Sequence, residues 1–173
     1  NKITKILKKK TYLKNKNLIL KRNGSIVRAI VPVSTFGKKI DFNSIQKFST
    51  KHNLKILFDT AACHDPKIFK FKKNNKMNFC FSFNGNKTLT TGAGGMFSSN
   101  SKSVVSKIRT LANVGKKFKK YDYETVGYNY KMTNLQASLG LSQLKNIDSI
   151  ISLKKKIFLE YKKKFTNLKD ISF

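Results

Sequence analysis

The chain has 173 residues, with 37 Lys and Arg against 8 Asp and Glu, and a formal net charge of +29. That length suits one domain or a large part of one, and a hydrophobic fraction of 39% argues against a disordered chain. No apolar run reaches the roughly 18 residues of a membrane span, and residues 1–10 lack the apolar segment of a signal peptide. We therefore expect a globular protein with no membrane partner. Its two cysteines, Cys63 and Cys80, have no metal-site spacing and favour a reducing, cytoplasmic compartment.

The excess of positive charge has two interpretations. Clustered cations bind nucleic acid by releasing phosphate counterions, so a basic nucleic-acid-binding module is one hypothesis. However, only three of the 37 cations are arginine, which is the residue that best reads bases and phosphates. The lysines also lie in short, scattered runs. We therefore favour a solvated lysine surface with no specific nucleic-acid partner, and keep the module as the alternative.

Hydrophobic patterning predicts alternating strands and helices along the first two thirds of the chain. Such alternation is typical of an α/β layered architecture. The predicted elements, in chain order, are a helix end at 1–10, a strand at 18–21, a turn at Asn23-Gly24, a buried strand at 26–33, a helix at 41–51, strands at 54–58, 79–83 and 94–98, and a helix at 101–113.

Two further helices are predicted in the last third. Thr133 and Gln136 have the spacing of a capping box, which predicts a helix start at this point. That helix carries Leu135, Leu139, Leu144 and Ile147, and a lysine-rich helix follows at about 150–165.

Polar side chains end two of the predicted strands. Asp59 follows the strand at 54–58, and Ser82 and Lys87 lie at the end of the strand at 79–83 and in the loop after it. Ligands of open α/β sheets gather beyond the carboxyl ends of the strands. An acid, a hydroxyl and a lysine suit pyridoxal phosphate, which has a ring nitrogen, a phosphate and an aldehyde. The alternative is that Asp59 caps a loop and Lys87 is solvated.

The segment 81–96, FSFNGNKTLTTGAGGM, resembles the lysine segment of the DegT/StrS sugar aminotransferases. Three further segments, 31–37, 58–62 and 126–137, resemble the family in order and spacing. The resemblance covers about 26–161. It implies the large domain of a type I pyridoxal-phosphate-dependent transferase, with a mixed, mostly parallel sheet flanked by helices. It also implies that the chain is truncated at both ends, with 1–150 in the large domain and 151–173 a helix leading toward a small domain.

The resemblance also implies roles for four residues. Lys87 would form a Schiff base with pyridoxal 5'-phosphate and move the catalytic proton, and Asp59 would keep the pyridine nitrogen protonated. Ser82 would bind the cofactor phosphate. Asn129 would reach the site of the neighbouring subunit, so the active unit would be a homodimer. Gly92, Gly94 and Gly95 would supply tight backbone turns beside the lysine loop.

The implied reaction transfers an amino group from glutamate to the keto carbon of a nucleotide-linked sugar, for surface polysaccharides. Family members with His at the lysine position are dehydratases, so Lys87 favours transamination. A catalytically inactive truncated fragment is the remaining alternative. The sequence departs from the family at Phe58, commonly Glu, at Ala62, usually a polar residue, and at Lys131, usually Arg.

Overall fold

A computed structural model describes residues 2–64, 77–116, 121–168 and 170–171 of the protein, without the side chains of 2–4. It confirms the predicted α/β fold class. The elements, in chain order, are α1 (Lys2–Lys10), β1 (Thr11–Lys14), β2 (Asn17–Leu20), β3 (Ala29–Ile30), α2 (Phe42–Lys51), β4 (Lys55–Ile56), β5 (Phe58–Asp59), β6 (Asn78–Ser82), β7 (Gly95–Ser99), α3 (Lys102–Ala112), α4 (Asn134–Lys145) and α5 (Ile147–Phe165).

β1 and β2 form an antiparallel hairpin, of which the sequence predicted only the second strand. Asn15 and Lys16 connect the strands with φ angles of 48° and 63°. Two consecutive positive φ angles define the two-residue turn whose twist matches a hairpin. The prediction missed β1 because three of its four residues are exposed and it lacks a hydrophobic alternation.

A four-stranded sheet organises the middle of the chain. Residues 29–33 run parallel to 55–59, since Ala29 pairs with Lys55, Ile30 with Ile56, and Val33 bridges Asp59 in the same register. β5 pairs with β6 in parallel, and β6 pairs with β7 in antiparallel orientation. The sheet is therefore mixed and mostly parallel, as the resemblance to the family implied.

The prediction of a buried strand at 26–33 was wrong about its burial. Only Ala29 and Ile30 form a regular strand, and Val31 and Val33 are 54% and 57% exposed. Residues 29–33 pair with 55–59 and form an edge of the four-stranded sheet, whereas Ile26 bridges Ile19 of β2. β-branched residues occur in edge strands as well as in buried ones, so composition alone did not distinguish the two.

A phenylalanine core lies between α2 and one face of the sheet. Phe79 and Phe81 alternate along β6 with the less buried Asn78, Cys80 and Ser82, as a half-buried strand requires. Phe58 has no exposed surface. Its ring centroid lies 4.8 Å from that of Phe42 on α2 and 5.2 Å from that of Phe79. An apolar residue at position 58 therefore fills the centre of this core.

α2 begins where the sequence predicted, with Asp41 as its N-cap. The Asp41 carboxylate accepts hydrogen bonds from the Ser44 amide and hydroxyl, which hold its pKa below the usual range. Ile45 and Phe48, the predicted inward residues, are half-buried, and Phe42 and Ser49 are buried instead.

α4 and α5 follow the sheet and α3 in the chain. The predicted capping box is present, with the Thr133 hydroxyl accepting from the Gln136 amide and the Gln136 side chain accepting from Thr133 N–H. Ile147 begins α5 and is buried, so α5 starts earlier than the predicted 150. The predicted boundary between 150 and 151 falls inside α5, and the domain division itself stays a prediction.

Among the described residues, no helix is long and apolar enough to cross a bilayer.

Candidate active site

The sheet brings three of the four predicted site residues to one edge. The segments ending at Val33, Asp59 and Ser82 are parallel neighbours, so their carboxyl ends meet there. β7 starts at the same edge, because Gly95 pairs with Ser82. The loop between β6 and β7, which carries Lys87, therefore also lies at this edge. We call this edge, with Asp59, Ser82 and Lys87, the candidate site.

Asp59 faces away from the phenylalanine core. It pairs in register with Cys80, two residues before Ser82, while the preceding pair, Phe58 and Phe79, faces the core. Burial raises the pKa of the Cys80 thiol, and the Asp59 carboxylate raises it further. One carboxylate oxygen of Asp59 accepts from the Ala61 amide at 3.0 Å. Asp59 thus caps the following turn, which is the capping role that the sequence offered as an alternative. Its side chain lies on the face of the sheet opposite the phenylalanine core.

Ser82 has two contacts at the end of β6. Its hydroxyl oxygen accepts from the Asn84 amide at 3.4 Å, and its carbonyl oxygen lies 2.8 Å from Nε2 of His64. The hydroxyl acts as an acceptor in the first contact. Its own proton is therefore not used in that contact and can be donated to an anion at the sheet edge.

Lys87 is half-buried in a loop that is closed at its base. Its amide donates to the Asn84 carbonyl at 3.0 Å, which forms a turn. The Thr91 amide and the Thr90 hydroxyl both donate to the Phe83 carbonyl, at 2.9 and 3.1 Å. These bonds tie the end of the loop to the end of β6, so both ends of the loop that carries Lys87 lie at this sheet edge.

Glycines shape the return of this loop, partly as predicted. Gly92 and Gly94 have φ angles of 78° and 103°, which confirms the predicted turns. Gly95 is different, because its φ is not positive. A Cβ there would lie 2.6 Å from the Phe81 carbonyl oxygen, so Gly95 allows a close approach of β7 to β6.

His64 belongs to the site region, although the sequence assigned it no role. Burial lowers the pKa of His64, and the nearby charges of Lys87 and Lys154 lower it further, while the hydrogen bond to Ser82 opposes them. Because the Ser82 carbonyl oxygen can only accept a hydrogen bond, Nε2 of His64 is the donor, and Nδ1 is buried without a hydrogen-bond partner among the described residues. Its neighbour Cys63 is buried and packs in the phenylalanine core.

A second contact that the sequence did not predict comes from α4. The side-chain amide of Gln143 makes two hydrogen bonds to Thr90, in the loop of Lys87. A glutamine on a helix surface ordinarily faces solvent, and the chain separation from Thr90 is 53 residues. No local pattern could have indicated this pairing.

Asn129 lies apart from these contacts. It is exposed and bridges Asn113, which caps the end of α3. The described contacts of Asn129 involve that segment and not Asp59, Ser82 or Lys87. Its predicted role in a neighbouring subunit stays a prediction.

An open cavity of about 350 Å³ lies beside the end of α3 and carries three cationic side chains. Its described lining consists of Arg109, Thr110, Ala112, Asn113, Lys116 and Lys131. Lys131, which stands at the family's usual arginine position, therefore adds to a positive surface. Within the described residues no group of three or more His, Cys, Asp or Glu could hold a metal ion.

Comparison with known proteins assigns the chain to a family. The sequence model of the DegT/DnrJ/EryC1/StrS aminotransferase family matches residues 7–173. The chain belongs to this family. GDP-perosamine synthase of Caulobacter vibrioides is 35% identical over 144 residues, which cover 82% of this chain and 38% of that protein. The UDP-4-amino-4,6-dideoxy-N-acetyl-beta-L-altrosamine transaminase of Campylobacter jejuni is 30% identical over 151 residues, which cover 84% and 40%.

Solved structures of aminotransferases confirm the predicted type I fold. Helicobacter pylori PseC, an aminotransferase of pseudoaminic acid biosynthesis, matches 92% of this chain and 45% of its own, with a TM-score of 0.71 and 27% identity. DesV of S. venezuelae matches 82% and 38%, with a TM-score of 0.72 and 26% identity. The chain spans about 40% of the length of the curated relatives it matches.

Proposed function

We propose that the protein is a pyridoxal-phosphate-dependent aminotransferase that moves an amino group from glutamate to the keto carbon of a nucleotide-linked sugar. The observation that carries the proposal is the edge where Asp59, Ser82 and the Lys87 loop meet, in a member of an aminotransferase family. Membership of an aminotransferase family favours this function over the nucleic-acid-binding function that the net charge alone suggested.

The residues at the candidate site fit pyridoxal phosphate in their chemistry. Asp59 offers a carboxylate on the face of the sheet opposite the core, Ser82 offers a hydroxyl proton, and Lys87 offers an amine in a half-buried loop. When bound, the cofactor supplies an aldehyde and a ring that takes up electrons. The three groups match its ring nitrogen, its phosphate and its aldehyde.

Each of these side chains has a defined task in the proposal. Asp59, with one oxygen held by the Ala61 amide, would keep a proton on the ring nitrogen. Ser82 would donate its hydroxyl proton to the phosphate, and His64 supports Ser82 through its carbonyl. Lys87 would bind the cofactor covalently and then accept and return the catalytic proton at its Nζ.

The proposed substrate is anionic. The two curated relatives are named for products or substrates that are GDP- or UDP-linked aminosugars. The cavity with Arg109, Lys116 and Lys131 offers the positive charge that a diphosphate requires. Both observations support a nucleotide sugar, used for surface polysaccharides, as the amino acceptor.

Three further parts of the proposal concern assembly and location. We propose a homodimer in which exposed Asn129 contributes to the neighbouring subunit's site, with 1–150 in the large domain and 151–173 leading toward a small one. Both cysteines are free thiols, which supports a reducing cytoplasm.

Covalent trapping tests the role of Lys87. The protein is expressed from the full reading frame that encodes this chain, loaded with pyridoxal phosphate, reduced with borohydride and digested for mass spectrometry. We expect the cofactor on Lys87 and no trapped cofactor in Lys87→Ala. Lys102→Ala, which removes an exposed lysine at the start of α3, is the matched control and should trap normally. Trapping that persists in Lys87→Ala would overturn the assignment.

Activity then tests the substrate class. The loaded protein is incubated with glutamate and keto sugars linked to GDP or UDP, and the amino sugar is measured. Asp59→Asn should lower kcat by at least about 100-fold, because an amide cannot stabilise the ring proton as a carboxylate does. An Asp59→Asn variant with wild-type kcat would contradict the role given to this residue.

A further inference from the structure

The side-chain amide of Gln143 is bonded on both of its sides to the backbone of Thr90. The Thr90 amide donates to Oε1 at 3.1 Å, and Nε2 donates to the Thr90 carbonyl at 2.7 Å. Both contacts are partly buried, where an unpaired amide is costly. Because a two-point contact fixes orientation as well as distance, Gln143 holds the Thr90 peptide in one position.

Close packing supports the same contact. Gly140 lies three residues before Gln143 and so shares a face of α4 with it. A Cβ at Gly140 would lie 3.0 Å from the Cγ2 atom of Thr91, which is only 5% exposed. The helix therefore packs directly on the loop at Thr90 and Thr91.

Thr90 sits at the base of the Lys87 loop. Its hydroxyl donates to the Phe83 carbonyl and accepts from the Gly92 amide at 3.0 Å. The loop thus leaves the sheet at Phe83 and returns to the same residue at Thr90, with Lys87 between them. A shift of Thr90 would change where the loop returns and, with it, the position of Lys87.

We infer that Gln143 is a positioning residue for Lys87. Its amide fixes the base of the loop, and the loop in turn sets where the Lys87 amine lies relative to Asp59 and Ser82. This inference rests on the proposed function for its catalytic meaning. The effect of Gln143 on the loop does not depend on the cofactor. The positioning role of Gln143 and the proposed catalytic function can therefore be tested separately.

Hydrogen exchange measures the loop itself, without cofactor. The protein from the full reading frame is compared with Gln143→Leu, which removes both hydrogen bonds, and Gln143→Glu, which keeps only an acceptor for the Thr90 amide. We expect amides in peptides covering 84–92 to exchange about tenfold faster or more in Gln143→Leu, with Gln143→Glu between it and wild type.

Ser142→Ala is the matched control, because it removes an exposed polar side chain next to Gln143 on the same helix. It leaves the capping box at the start of α4 and both Gln143–Thr90 hydrogen bonds in place. Exchange at 84–92 should stay within about twofold of wild type in this variant. Unchanged exchange in Gln143→Leu, or an equal rise across all peptides, would overturn the inference. If Gln143→Leu does not fold, Gln143→Glu gives the same test.

Kinetics of the loaded enzyme supply the second readout. Misplaced catalytic groups lower the rate of the chemical step, so we expect kcat of Gln143→Leu to fall about tenfold or more with KM within about twofold. We expect the kcat of Gln143→Glu to lie between those of Gln143→Leu and wild type. A wild-type kcat in Gln143→Leu despite faster exchange would overturn the positioning role. The borohydride trapping experiment with Lys87→Ala tests the proposed function independently of the hydrogen-exchange and kinetic results.

Discussion

The phenylalanine core and the pair of helices α4 and α5 are both rich in large apolar residues, but they use them differently. Phe58, Phe79 and Phe81 are at most 7% exposed, and their rings pack on one another. On α4 no described residue is buried, and Leu135 is 85% exposed. α5 has one buried residue, Ile147.

This difference shows how the two regions contribute to the site. The core holds the sheet edge that carries Asp59 and Ser82, so their positions depend on apolar burial. α4 instead reaches the lysine loop through the Gln143 amide and the close approach at Gly140. The contribution of α4 to the site therefore depends on hydrogen bonds and on the local interactions, such as the capping box, that stabilise the helix.

The largest effect is expected from truncating the centre of the core. Phe58→Ala should cost about 3–5 kcal/mol of unfolding free energy, since it leaves a cavity among rings that cannot fully collapse. Denaturant unfolding of the protein from the full reading frame measures this cost. A loss below about 1 kcal/mol would contradict the central place of Phe58.

A matched truncation on α5 tests the other half of the comparison. Leu153 is 60% exposed, so Leu153→Ala should change the unfolding free energy by no more than about 0.5 kcal/mol. If Leu153→Ala costs as much as Phe58→Ala, the apolar surface of α5 is buried in the full protein and the comparison fails.

The sequence predicted the core region better than the edges of the fold. Alternation along β6 and the Asp41 cap are local signals, so the strand, the helix start and the α/β class were all predictable. β1 lacks such a signal, and its pairing depends on a turn at Asn15 and Lys16. The exposure of Val31 and Val33 depends on which strands flank them, which local patterning does not contain.

For the candidate site, the sequence predicted that Asp59, Ser82 and Lys87 lie at the ends of neighbouring strands, but it did not predict the contacts made there. Asp59 and Ser82 end β5 and β6, Lys87 lies in the loop after β6, and parallel pairing brings these strand ends together. The contacts of His64 with Ser82 and of Gln143 with Thr90 join residues 18 and 53 positions apart. Such pairings follow from the tertiary fold, so a single sequence gave no signal for them.

A smaller effect is expected at the capping box of α4. Because this helix buries no described residue, local capping should matter to it, and Thr133→Ala should cost about 1 kcal/mol. Thr133→Ser keeps the hydroxyl and is the matched control. Denaturant unfolding, with hydrogen exchange at 134–137, reports the loss. Full stability in Thr133→Ala would show that packing, rather than capping, holds α4.

The smallest effect concerns the charge that α5 places near the sheet edge. Burial lowers the pKa of His64, and Lys154 on α5 lowers it further. We therefore expect Lys154→Ala to raise the His64 pKa, as measured by NMR titration of its ring protons with His64→Gln for assignment. Lys163→Ala, near the end of the same helix, is the control and should leave the titration unchanged.

The sign of the stability change follows from the direction of this shift. A histidine with a lowered folded pKa stabilises the native state when neutral, above its ordinary pKa of about 6.5. That contribution is lost as pH falls from there through the folded pKa, because the unfolded chain then binds more protons. Lys154→Ala brings the folded pKa of His64 closer to its unfolded value. The unfolding free energy of this variant should therefore fall less on acidification than that of wild type. An unchanged His64 titration would mean that α5 does not approach the site closely enough for its charge to act there. The two regions would then be electrostatically independent, and Gln143 and Gly140 on α4 would carry the contact between the helices and the sheet edge.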